Sequence, residues 1–97
     1  MDKSEAKKIL NETREQIDIL DKKILKLICE RTLLGKKIAK AKMILGMDIE
    51  DPIREKEIEN KARKIARKNK INEKKITKIV KILTEMNREE QKKVMGR

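Results

Sequence analysis

SEAKKILNETREQIDILDKKILKLICERTLLGKKIAKAKMIL, residues 4–45, covers more than two fifths of the chain. It contains no proline, and Leu10, Ile17, Leu20, Ile24, Leu27, Leu34, Ile38, Ala41 and Leu45 recur at alternating spacings of three and four. That period places them on one stripe of a single long amphipathic helix. Gly46 then stands where a left-handed cap would end it, and Asp51-Pro52 supplies an N-cap followed by proline at the first helical position. A second, shorter helix is expected over 52–68, poor in apolar residues, with Asn69-Lys70-Ile71-Asn72 ending it and capping the next. A third, of medium length, carries Ile76, Ile79, Val80, Leu83, Met86 and Val94 over about 73–94. There is no strand pattern and no internal repeat, so residues 1–97 read as one all-α domain.

Length adds a conclusion about assembly. Some 40 helical residues span roughly 60 Å, whereas a compact domain of this size has a radius of gyration near 12 to 13 Å by the usual scaling. Two shorter helices cannot cover such a stripe, and pairing of two long helices in a symmetric dimer can. The expected state is an obligate, intertwined homodimer.

Composition removes whole classes of chemistry. The chain has no Phe, Tyr, Trp or His, so histidine catalysis, histidine metal ligation and aromatic stacking of bases are excluded. One cysteine, Cys29, allows neither an intramolecular disulfide nor a zinc cluster, and it reads as a small core residue. The N-terminus is charged rather than apolar, and no stretch approaches the roughly 20 apolar residues of a membrane span. The expectation is a soluble, cytoplasmic protein. A net charge of +11, with 21 lysines and 7 arginines that read as spread along the chain against 17 acids, favours an anionic partner without saying which.

Several polar residues fall where apolar ones belong. Stepping 27, 31, 34 keeps the seam of the first helix, so Arg31 occupies a leucine position; an unpaired guanidinium there is costly unless it meets an anion. An inter-helix salt bridge would satisfy it as well as a bound carboxylate or phosphate. Lys42, eleven residues on, returns to within about 20° of the same face. Arg14 lies 17 residues earlier, about 25 Å along the axis, and reaches the same small molecule only from an antiparallel partner helix. On its own it reads as a solvated flank residue. Asn87 and Gln91 continue the apolar stripe of the third helix and point inward together, whether as register-fixing amides or as ligand contacts. Asp51, Arg54 and Glu55 share the first turn of the second helix, where Asp51 is explained by capping and Glu55 by the helix dipole. Together these residues describe a pocket for a small polyanion bearing hydroxyls, one that binds and polarises without a nucleophile.

The same residues resemble an all-helical chorismate mutase of the stand-alone kind over nearly the whole chain. The resemblance is carried by Arg14 in REQID with Asp21 following, Arg31 in LKLICERTLLGKKIAKAK with Lys42 closing that run, DPIREKEI with Asp51, Arg54 and Glu55, and the late N-x-x-x-Q of Asn87 and Gln91. It implies an intertwined three-helix homodimer with two sites, each completed by Arg14 supplied in trans. The implied reaction is the Claisen rearrangement of chorismate to prephenate in phenylalanine and tyrosine biosynthesis, which uses no cofactor and no metal. The resemblance further implies Arg14 and Arg31 on the substrate carboxylates and Lys42 and Gln91 donating to the ether oxygen. Asp51 and Glu55 would lie by the ring hydroxyl, Arg54 would support the carboxylate end, and Asn87, where several relatives have Ser, would lie near the ring carboxylate. Three other readings stay open: a basic helical dimer binding nucleic acid, which is not expected because no DNA-binding motif is present; an isochorismate pyruvate lyase on the same fold; and a mutase that reaches full rate only with a partner enzyme. Feedback control by an effector domain is not expected at this length.

Overall fold

The computed structural model describes residues 1–97. It is all-helical, without strands: α1 is Lys3–Leu33, α2 Gly35–Leu45, α3 Pro52–Lys68 and α4 Glu73–Met95. Short polar side chains start the helices by accepting from otherwise orphaned amides. Asp2 Oδ1 accepts from Glu5 N at 2.8 Å, Asp51 Oδ1 from Arg54 N at 3.2 Å and Asn72 Oδ1 from Lys75 N at 3.0 Å. Gly46, at φ 66°, closes α2 by donating its N–H to the Lys42 and Met43 carbonyls, a left-handed conformation that glycine adopts without a Cβ penalty. No helix is long and apolar enough to cross a membrane.

The helix expected over 4–45 is divided at Leu34, which itself keeps right-handed helical dihedrals (φ −62°, ψ −18°), so that α1 gives way to α2 without a loop. The chain forms two compact units, Met1–Glu30 and Arg31–Arg97. The first is a helix with no buried residue; Leu10, Ile17, Leu20 and Ile24 of its apolar stripe are each about half exposed. Cys29, expected in a core, is exposed because it rides on this helix, which has no face covered.

In the second unit α2 and α3 both pack on α4. Its buried apolar residues are mostly small, Ala39, Ala62 and Ala66 beside Ile49, and they are matched in number by buried polar ones, Lys42, Thr77, Asn87 and Gln91. Buried polar groups are costly unless hydrogen-bonded: Lys42, Gln91 and Asn87 share one hydrogen-bond network, and Thr77 bonds back to the Glu73 carbonyl. Gly35 sets the approach of α2 to α4: a Cβ there would lie 2.6 Å from the Asn87 carbonyl oxygen and 3.2 Å from its Oδ1. Gly35→Ala therefore lowers Tm by several degrees in a thermal melt. Alanine's helix propensity favours it by up to about 1 kcal/mol, but a backbone carbonyl cannot rotate aside and overpacking costs about 1 to 3 kcal/mol. An unchanged or higher Tm would contradict the close approach.

Candidate active site

A cavity of about 240 Å³ opens in the second unit, between α2, the 46–51 connection, the start of α3 and the C-terminal half of α4. Leu34, Ile38, Ile49 and Ile58 give it an apolar wall. Its charged residues are Arg31, Lys42, Arg54 and Arg88 against Asp51 and Glu55, an excess of two positive charges. Of the residues singled out in the sequence, Arg31, Lys42, Asp51, Arg54, Glu55, Asn87 and Gln91 all line this cavity. Arg14 belongs to the first unit and is exposed.

Arg31 sits in the last turn of α1, half-buried, with Nη1 buried and without a hydrogen-bond partner. Burial first, and the charge of Arg54 second, hold its pKa below the ordinary arginine value. A guanidinium remains charged even so. A buried, unpaired N–H on a cation beside a second cation is an unfavourable arrangement, and an anion relieves it.

Lys42 is 7% exposed and its ammonium is held by two acceptors, the Ile49 carbonyl and Gln91 Oε1, the latter at 2.9 Å. From Gln91 the hydrogen bonds continue: Nε2 donates to Asn87 Oδ1 at 2.7 Å, and Asn87 Nδ2 donates to the Arg31 carbonyl at 2.8 Å. This chain links α2, α4 and the end of α1 beneath the cavity. Around the rim, Glu55 Oε1 lies 3.3 Å from Arg88 Nη1, and Arg54 Nη1 lies 3.3 Å from Glu57 Oε2 on the outer side of α3. Asp51 both caps α3 and faces the cavity. The one hydroxyl of the lining, that of Thr84, donates to the Val80 carbonyl at 3.0 Å. No group in the pocket is arranged as a nucleophile with its base.

Sequence reasoning misses Arg88 and Thr84. Both lie on the Thr84-Arg88-Gln91 row, whose spacing of four and three is the same signal that singles out Asn87 and Gln91. Arg88 is hidden by sitting in a run of charged residues. The positive charge, read as spread along the chain, is concentrated: residues 61–81 hold ten lysines and arginines and a single acid, Glu73. These are the ends of α3 and α4 remote from the cavity residues, so the large net charge and the pocket's own excess are separate facts.

The family model for chorismate mutase type II matches residues 13–92, which include every residue singled out above. The chain belongs to the chorismate mutase type II family. The chorismate mutase of Methanocaldococcus jannaschii is 44% identical over 86 residues, covering 89% of this chain and 87% of that protein. No solved structure matches the chain. As a family member the chain is an isomerase acting on chorismate, and a pocket without a nucleophile suits a mutase, whose reaction makes and breaks bonds within one molecule.

Proposed function

We propose that this cavity holds chorismate as its dianion and rearranges it to prephenate, and that the chain works as an intertwined homodimer whose two sites are each completed by Arg14 of the partner subunit. The observation that carries the reading is half-buried Arg31, whose Nη1 is buried and unpaired, beside Arg54 in a pocket with two excess positive charges. Arg31 holds one substrate carboxylate, and Arg14 of the partner subunit, with Arg54 near the rim, neutralises the other. Clamping both ends selects the compact conformer in which the forming C–C bond and breaking C–O bond are aligned, an orientational contribution of the kind that intramolecular reactions exploit. Lys42 and Gln91 then donate to the ether oxygen, where negative charge grows as the C–O bond opens; a preorganised donor of this sort is typically worth about 10²- to 10³-fold in rate. Glu55 and Asp51 accept from the ring hydroxyl.

Support for the dimer comes from α1. A row of half-exposed Leu and Ile side chains along a helix about 46 Å long is a larger continuous apolar surface than isolated soluble chains usually leave in water. A second copy of the same stripe covers it. A cytoplasmic location belongs to the same reading, supported by a single cysteine that has no disulfide partner.

The test uses the donor at position 91. Gln91 donates at any ordinary pH, whereas a glutamate donates only when protonated. Wild-type protein converts chorismate to prephenate with no acid limb from this position, and Gln91→Glu makes kcat/KM rise as pH falls. Absence of prephenate with the wild type, or a flat profile in Gln91→Glu, would count against the reading.

A further inference from the structure

We propose that Asn87 is a positioning residue that fixes which way round the Gln91 amide faces, with Gly35 leaving the room it needs; this rests on the assignment of Gln91 as donor to the ether oxygen. A primary amide is nearly symmetric in shape, so nothing in packing alone stops Gln91 from presenting its oxygen, rather than its nitrogen, to a ligand. The hydrogen-bond chain removes that freedom from both ends. At one end the Lys42 ammonium has only donors, so the Gln91 atom 2.9 Å from it is Oε1. At the other end the Arg31 carbonyl only accepts, so the Asn87 atom 2.8 Å from it is Nδ2. Asn87 therefore turns Oδ1, an acceptor, toward Gln91, and only Nε2 satisfies it, at 2.7 Å. The two orientations are consistent, and reversing either amide would set like atoms against each other in a buried place, with Asn87 9% and Gln91 4% exposed.

Two consequences follow for the reaction. One N–H of Gln91 is committed to Asn87, which leaves its second N–H as the donor for a ligand. The ammonium on Oε1 also polarises the amide, and hydrogen bonds aligned head to tail strengthen one another, so that second N–H is a better donor than an isolated glutamine would supply. Asn87 Nδ2 donates to the Arg31 carbonyl and its Oδ1 accepts from Gln91, so its amide is held in the one orientation that fixes Gln91's. Gly35 belongs to the same device, because a Cβ there would crowd Asn87 Oδ1 at 3.2 Å.

The experiment compares wild type with Asn87→Ala and the milder Asn87→Ser by side-chain amide NMR of the ligand-free protein, followed by kinetics. In wild type the Gln91 side-chain amide protons are inequivalent, and the one bonded to Asn87 exchanges slowly with water. In Asn87→Ala that exchange is at least about tenfold faster, the scale of one lost buried hydrogen bond. For chorismate, kcat falls about tenfold or more while KM stays within about threefold, since the lost interaction belongs to the transition state. A third readout uses Gln91→Glu. Asn87 offers position 91 only an oxygen and so favours the protonated acid; a serine in place of Asn87 can turn its hydroxyl to donate to the carboxylate. Adding Asn87→Ser to Gln91→Glu accordingly moves the acid limb about one pH unit lower. Unchanged Gln91 exchange in both Asn87 variants, a rise in KM with kcat intact, or a limb that does not move would each overturn the proposal. The exchange measurement needs no substrate, so a failure of the mutase assignment would leave it standing and would be told apart.

Discussion

Arg31→Ala lowers kcat/KM for chorismate by about 10²- to 10³-fold and leaves the ligand-free protein at least as stable as wild type. The two halves of that result have one cause. Arg31 Nη1 is buried without a partner, and Arg54 adds like charge; burial holds the Arg31 pKa down, so folding bears a desolvation cost that no protein acceptor offsets. Truncation removes this cost together with the packing of the aliphatic stem, and the two nearly cancel. Chorismate loses its anchor, and with it the conformer that reacts. Kinetics and thermal melts on the same preparation check both halves. A variant that loses several degrees of Tm while keeping its activity would show that Arg31 is structural. Arg31→Lys separates charge from geometry: it retains the point charge but not the planar fork that grips a carboxylate through two N–H groups, so its loss falls between wild type and alanine.

Arg14→Ala and Arg31→Ala chains, each nearly inactive alone, regain about a quarter of wild-type activity when unfolded together in equal amounts and refolded. Random pairing makes about half of the dimers mixed, and in a mixed dimer one site combines an intact Arg31 with an intact Arg14 from the partner subunit while the other lacks both. The effect is large because the background is low, and no monomeric site can produce it. It is read as chorismate turnover after the mixed dimer has been confirmed by mass. Confirmed heterodimers without recovery would sink the shared site and the intertwined dimer with it.

Periodicity made the all-helical fold legible, along with much of the cavity lining. The helical face shared by Arg31 and Lys42, and the i, i+4 pair of Asn87 and Gln91, follow from 100° per residue and survive in the structure as residues lining one cavity. Capping at Asp51 and Asn72 is equally local and reads directly from residue type. What sequence could not carry is long-range. The division of the first helix at Leu34 accompanies the approach of Asn87, 52 residues away, to Gly35, and nothing near residue 35 announces it. Lys42's second acceptor is a backbone carbonyl, that of Ile49, which has no residue type to recognise. Cys29 reads as core because its residue type is commonly buried, while its actual exposure depends on what covers α1. Arg88 shows a different limit, since a charged residue in a charged run signals nothing until its partner Glu55 is seen opposite.

Mutase activity is measured as the loss of chorismate, followed by its near-UV absorbance, with products separated and identified against a no-enzyme blank. The chain has no Trp, Tyr or Phe, so its own absorbance hardly intrudes. Prephenate alone is expected, formed far faster than the blank, at a rate that collapses in Arg31→Ala. A correctly folded dimer that gives only the blank rate, or that releases pyruvate in place of prephenate, would contradict the proposed reaction.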